Sequence, residues 1–379
     1  MIHKIITLIA ILLIGLSSFA QEISPPVESL KQLYENNEAF KKTIDLMLKN
    51  VSPLPNGGVN PWKDKNFDDL CEFVNEWFYF LPNTHNGLDR ILKFSFLYYN
   101  NPDGMNFVLK EPGLSWANSF IDERGKFMDS PESVRIIEEW LSDNSLNNEE
   151  FELPIDGFKS FNEFFTRDLK PGVRPIDDAT DKSVLVSPAD GVINMIANEL
   201  ELDTEIPTKG RMTMSLNSLL NQSSYAKKFV GGSAMAIFLM PDNYHHYHSP
   251  ITGKIVESNE NVGKRLFGMP DILDMFNNGN LGYNKDYSVF EDFKHGYFII
   301  ETGDYGFIAM IPIGLQTIGS VVFEDAYKDV SNDNPKQIHK GEKLGHFKYG
   351  GSTVLLIFEK GKLNSMTVEQ GQRIGKLKN

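Results

Sequence analysis

One cysteine, Cys71, in 379 residues excludes an intramolecular disulfide and every metal centre built on several thiolates. Basic residues are scarce beside acidic ones: 37 Lys and Arg stand against 51 Asp and Glu, for a formal net charge of −14. No Lys/Arg cluster is dense enough to track a phosphate backbone, which excludes nucleic acid as a partner. Internal repeats and low-complexity tracts are also absent. What remains, 41% hydrophobic residues, is ample for one large core or two ordinary ones. Cys71 sits among Phe67, Leu70, Val74 and Trp77 at helical spacing, which marks a buried thiol rather than a nucleophile.

The one long apolar run is at the start. Lys4 precedes Ile5 to Leu16, broken only by Thr7 and Gly15, and Ser18 and Ala20 put small residues before Gln21. As a helix that run rises about 18 Å, short of the roughly 30 Å hydrocarbon layer. Residues 1–20 therefore read as an export signal cleaved before Gln21, with an uncleaved amino-terminal anchor as the alternative. Either way the protein is expected outside the cytoplasm, periplasmic or membrane-associated.

Residues 21–150 are expected to be helical. Val27, Leu30, Leu33, Tyr34, Phe40, Ile44 and Met47 recur at three and four, as one helix stopped by the loop at 52–61. Asn66 caps a second helix, Leu88 to Tyr99 forms a third apolar segment, and Ser130 before Pro131 starts a last one carrying Val134, Ile137, Trp140 and Leu141 on one face. The many aromatics read as packing between helices.

After residue 150 the pattern changes. Ser160 and Glu163 form a capping box before Phe164 and Phe165. Short β-rich runs follow, SVLVS, GVINMIA, SAMAIFLM, GYFIIET, YGFIAMIPI and TVLLIFE, separated by Gly, Pro and Asn. The fold class is thus α+β: a helical amino-terminal domain (21–150), then a mainly antiparallel β-sandwich or barrel catalytic domain (151–379).

The chemistry lies in three stretches of that second part: PADG at 188–191, YHHYHSP at 244–250, and Gly350, Gly351, Ser352 and Thr353 before the run VLLIFE. Gly351 leaves its carbonyl open to close approach. If Ser352 Oγ adds to it, the peptide becomes an ester, and loss of the Ser352 α-proton ejects that ester, so the chain parts between Gly351 and Ser352. The residue left at 352 then hydrolyses to a pyruvoyl group. Such a nucleophile needs a base and a group that orients the base, and His248 and Asp190 are the best candidates.

These motifs resemble the phosphatidylserine decarboxylases, pyruvoyl-dependent enzymes that mature by self-cleavage. The likeness covers roughly residues 158–379 and rests on FFTRDLKPGVRPI (164–176), SPADG (187–191), KGRMTMSLNSLL (209–220), YHHYHSPITG (244–253), PIGLQTIGS (312–320) and GEKLGHFKYGGSTV (341–354). The resemblance implies that Asp190 and His248 serve self-cleavage with Ser352, that Ser352 becomes the covalent pyruvoyl cofactor, and that His245 acts in decarboxylation. It implies conversion of phosphatidylserine to phosphatidylethanolamine and CO2 through a Schiff base, with the small chain 352–379 staying bound to the large one. The helical front is similar to the amino-terminal domain of soluble tryptophan-decarboxylase-like members in NEWFYFLP and NSFIDERGKFMDSPES, which makes a free aromatic L-amino acid the alternative substrate. Peripheral membrane contact, through a basic patch near Lys227 and Lys228, and a homo-oligomer are both compatible with this reading.

Other classes compete. His245, His246 and His248 are of the residue type that holds zinc, but neighbours on an extended strand face opposite ways, which parts His245 from the other two and argues for no metal. Asp190, His248 and Ser352 also fall in the order of an Asp/His/Ser hydrolase, yet Val354 stands where a nucleophile elbow needs glycine, and no alternation of strand and long helix supports that fold. A non-catalytic relative would lack cleavage residues, and this chain has them all.

Overall fold

A computed structural model describes residues 22–53, 59–144, 146–202, 215–240, 242–269, 273, 292–315, 321–368 and 370. The signal-like residues 1–20 lie outside these, as do parts of the KGRMTMSLNSLL and PIGLQTIGS stretches.

The front is helical, in more pieces than its periodicity suggests. The first expected helix is two: α1 (Pro25–Asn36) and α2 (Glu38–Lys49). Asn37 between them takes an extended conformation, and its side chain accepts the Phe40 N–H, so a local cap breaks a run whose hydrophobic period continues through it. Asn66 caps α3 (Phe67–Tyr79) with a reciprocal bond from Asp69, as expected. The apolar segment from Leu88 gives only a short helix, α4 (Asp89–Ser95), and Asn101 caps α5 (Pro102–Leu109) instead of merely ending the segment. α6 (Gly113–Met128) is the longest helix among the described residues.

Beyond Ser130 the chain forms a 3-10 turn (Pro131–Ile136) before α7 (Ile137–Ser142). Ser130 makes no side-chain cap bond there, and Val134 is left exposed. Buried Arg124 of α6 donates to the carbonyls of Trp77, Phe78 and Phe80, satisfying the open end of α3. Cys71 is buried, and burial pushes its thiol up to about 11, which fits an inert core thiol.

The back is antiparallel. Strands β1 (Val192–Asn198), β2 (Ser233–Leu239), β3 (His246–His248), β4 (Gly253–Val262), β5 (His295–Glu301), β6 (Phe307–Leu315), β7 (Val321–Phe323), β8 (Lys336–Ile338), β9 (Lys343–Phe347) and β10 (Gly351–Phe358) follow in chain order. They form a seven-stranded sheet, β1-β2-β10-β6-β5-β4-β8, and a three-stranded sheet, β3-β9-β7. SVLVS joins neither; its Val186 N–H donates to the Pro250 carbonyl. The short helices α8 (Phe161–Phe165) and α9 (Leu216–Leu219) lie between these elements in sequence.

The central strands of the large sheet are buried on both faces. Along β10, Val354, Leu356 and Phe358 enter the core shared with the small sheet, while Leu355 and Ile357 enter the core shared with the front helices, as a period of two requires. That second core is continuous from Val27 through the helices into β1, β2, β5, β6 and β10. Trp77 of α3 packs its ring against Phe94, Phe120 and also Phe267 of the back part. No helix among the described residues is long and apolar enough to cross a membrane.

Candidate active site

Ser352 stands at the head of β10, the central strand, opposite Leu239 of β2 on one side and Gly314 of β6 on the other. It shares the strand face of Val354, Leu356 and Phe358 and points between the sheets, wholly buried. Two residues before it, Gly350 has φ 148°, a conformation that glycine alone adopts without strain.

His245 meets it there. The residue precedes β3, is fully buried, and puts Nδ1 3.3 Å from Ser352 Oγ. Its carbonyl accepts the Phe347 N–H at 2.8 Å, and its ring lies on that of Phe165 with centroids 4.0 Å apart and planes 27° from parallel. With Nδ1 unprotonated, the imidazole accepts the Ser352 hydroxyl.

The other two histidines of the segment lie around Tyr244 instead. His246 stacks on the Tyr244 ring and donates Nε2–H to the Thr166 carbonyl at 2.8 Å. A register shift between Tyr247 and His248 re-aims the latter. His248 Nδ1 faces the Gly341 carbonyl at 2.9 Å and must carry the proton of that bond, which leaves the Nε2 lone pair for the Tyr244 hydroxyl at 3.2 Å. Burial, with Lys343 nearby, pushes His246 down to about 3, and burial lowers His248 as well. Both are neutral near pH 7. Tyr247 points the opposite way into the core and donates to the Val322 carbonyl; a Cβ at Gly345 would overlap its hydroxyl, which explains the glycine of the LGHF stretch.

Asp190 is held by Arg174, whose Nη2 lies 2.9 Å from Oδ2 and whose Nε lies 3.3 Å from each carboxylate oxygen. Arg174 also reaches Glu150 at 2.8 Å. The segment carrying Asp190 is beside His248, whose backbone N–H donates to the Pro188 carbonyl at 2.8 Å, and the carboxylate favours protonation of that imidazole without overcoming its burial. Among the described residues, Ser352 Oγ has His245 as its hydrogen-bond partner, and neither Asp190 nor His248 bonds to it. The structure thus joins Ser352 with His245, and brings the Asp190 segment to His248 through a backbone bond and the field of the carboxylate. Arg174, Phe165 and Tyr244 are the neighbours that residue-type reasoning passed over, although all three lie in or at the edge of stretches it had marked. Of the two lysines expected to form a basic patch, Lys228 lies over the Phe307 ring, its Nζ 4.3 Å from the centroid.

A family model described as phosphatidylserine decarboxylase matches residues 161–376. The chain belongs to the phosphatidylserine decarboxylase family. Among its relatives, the phosphatidylserine decarboxylase proenzyme of Fusobacterium nucleatum is 34% identical over 271 residues, covering 71% of this chain and 81% of the relative. The proenzyme of Clostridium novyi is 31% identical over 279 residues, 73% of this chain and 86% of its own length. The proenzyme 2 of Oryza sativa subsp. japonica is 32% identical over 242 residues, covering 63% of this chain and 36% of the plant protein. A match over 71% of the chain cannot fit within the residues after 160, so it takes in α6 at least, and part of the helical front is shared with a relative of that name.

Proposed function

We infer that this decarboxylase acts on phosphatidylserine, giving phosphatidylethanolamine and CO2, after its own chain splits between Gly351 and Ser352. One observation carries the reading: within the stretch matched to the family, a buried serine at the head of a central strand follows a Gly-Gly pair whose first member, Gly350, has φ 148°, and an imidazole lies on its hydroxyl. In the splitting step Ser352 Oγ bonds to the Gly351 carbonyl carbon, the C–N bond breaks, and the proton moves to the freed amine. Removal of the Ser352 α-proton then breaks the Cβ–O bond, Gly351 departs as a carboxylate, and water replaces the nitrogen at 352, which leaves as ammonia.

The surroundings of position 352 fit a pyruvoyl group. They are buried, and they place one imidazole within reach. That group supplies a sink for the electrons released as CO2 leaves. His245, already at 352, is the residue to hold a proton and return it to the substrate α-carbon. Asp190 and His248 belong to self-cleavage on the strength of the family motifs, with His248 Nε2 as the basic nitrogen. The small chain stays in place because β10 is paired along its length on both sides and buries five successive apolar side chains, Val354 to Phe358, worth on the order of 10 kcal/mol together. Export, on residues 1–20, is part of the same reading.

Two measurements test it. The purified protein should run as two fragments parted at 351/352, and it should release CO2 from phosphatidylserine vesicles. CO2 from free tryptophan and none from the lipid would overturn the substrate.

A further inference from the structure

The two glycines before Ser352 leave the backbone there freer than anywhere else in the motif, so the geometry at the scissile bond has to be imposed from outside it. Downstream, the paired strand β10 does this. Upstream, Lys348 and Tyr349 are fastened to the helical front at Asp129 and Gly87, and to α8 at Asn162. The Tyr349 N–H donates to Asn162 Oδ1 of α8 at 3.1 Å, and its hydroxyl donates to the Gly87 carbonyl at 3.1 Å. Asn162 Nδ2 donates to Asp129 Oδ1 at 3.0 Å, while Asp129 Oδ2 accepts from Lys348 Nζ at 2.8 Å. Asn162 is itself buried, and the Tyr349 ring stands edge-on to Phe165 at 5.1 Å. Phe165 is the ring on which His245 lies.

We propose that the helical front, acting directly at Gly87 and through Asn162 of α8 at Asp129, is a template for self-cleavage: Asn162 and Tyr349 are positioning residues that fix the chain upstream of Gly351 relative to Ser352. This rests on the reading that the chain splits at 351/352. Ser352 lies only three positions beyond Tyr349, at most about 11 Å of extended chain, so slack at one end reaches the other. A misplacement of about 1 Å between reacting atoms costs on the order of a hundredfold in rate. The salt bridge of Lys348 is half-exposed and contributes little; the buried asparagine and tyrosine bonds carry the alignment.

The test follows the conversion of freshly synthesised full-length chain into two fragments, with melting temperatures read in a Ser352→Ala background so that stability is compared on intact chains. Asn162→Ala should slow splitting at least about tenfold, and Tyr349→Phe, which keeps the ring and loses the Gly87 bond, severalfold. The comparator is Asn101→Ala, which loses buried bonds to the Met47 and Leu97 carbonyls in the same helical front, away from Tyr349. It should lower Tm as much or more and split at the wild-type rate. Splitting at the wild-type rate in both Asn162→Ala and Tyr349→Phe would overturn the proposal, as would equal slowing in Asn101→Ala. A wild-type chain that never splits would instead remove the reading beneath it.

Discussion

Within five residues, 244–248, the chain builds two environments of opposite character. On one side His245 touches the Ser352 hydroxyl in a space closed by Phe165. On the other, His246 and His248 gather round Tyr244, each with one ring nitrogen committed to a backbone carbonyl. The same residue type is thus an acceptor aimed at a nucleophile in one place and a fixed, neutral hydrogen-bond donor in the other. Strand alternation and a bulge make that division, not the chemistry of imidazole. Histidine count alone says nothing about which ring reacts.

The largest effect expected on this contrast comes from its focus. Ser352→Ala has no hydroxyl to form the ester, so it should give an unbroken chain with no decarboxylation at all, read by mass and by CO2 release. Next come the histidines. His248→Ala should block splitting. His245→Ala should slow it by no more than about tenfold but cut decarboxylation by the factor of 10²–10⁴ that a positioned acid or base contributes. Splitting lost in His245→Ala and kept in His248→Ala would hand self-cleavage to the imidazole already on the hydroxyl.

Much of this was legible in the sequence, and the reasons differ by region. Five of the six β-rich runs are strands because alternation with two buried faces leaves a strong apolar signature, as in β10. SVLVS has the composition of a strand but joins no ladder among the described residues, its Val186 N–H bonding to Pro250 instead. β4 was missed because its run, GKIVESNENV, is mostly polar. In the front, the asparagine at 37 reads as an ordinary polar position until its side chain is seen capping α2. At the site, Ser352, His245, His248 and Asp190 were all visible as motif residues, whereas the Arg174 clamp on Asp190 and the anchoring of Tyr349 by Asn162 join positions far apart in sequence. Spacing cannot show those.

Acid should separate the two environments by stability rather than by rate. Burial, with Lys343 beside it, holds His246 down to about 3, and burial with Lys343 and Lys348 holds His346 to about 4; the ordinary value is about 6.5. A folded-state value below the unfolded one means that the unfolded chain binds more protons between the two, so stability falls as pH drops from about 6.5. Each ring accounts for roughly 2 kcal/mol between pH 6.5 and 5. His246→Phe, which can still stack on Tyr244, should flatten the urea-melting profile over that interval by that amount relative to wild type. An unchanged slope would show that His246 titrates normally.

The smallest change gives the sharpest reading of His248. Tyr244→Phe removes the hydroxyl on Nε2 and keeps the ring that stacks on His246. One neutral hydrogen bond is worth about 1 kcal/mol, so unfolding should shift by no more than that. Burial raises the Tyr244 phenol far above its ordinary value, so the hydroxyl stays protonated and can only donate to Nε2; removing it makes that nitrogen more available and more basic. If Nε2 is the base of self-cleavage, the variant should split at a rate within about threefold of wild type, or faster. If splitting stops, the hydroxyl is a required link between His248 and Ser352, and the two sides of the 244–248 segment are one proton path rather than two environments.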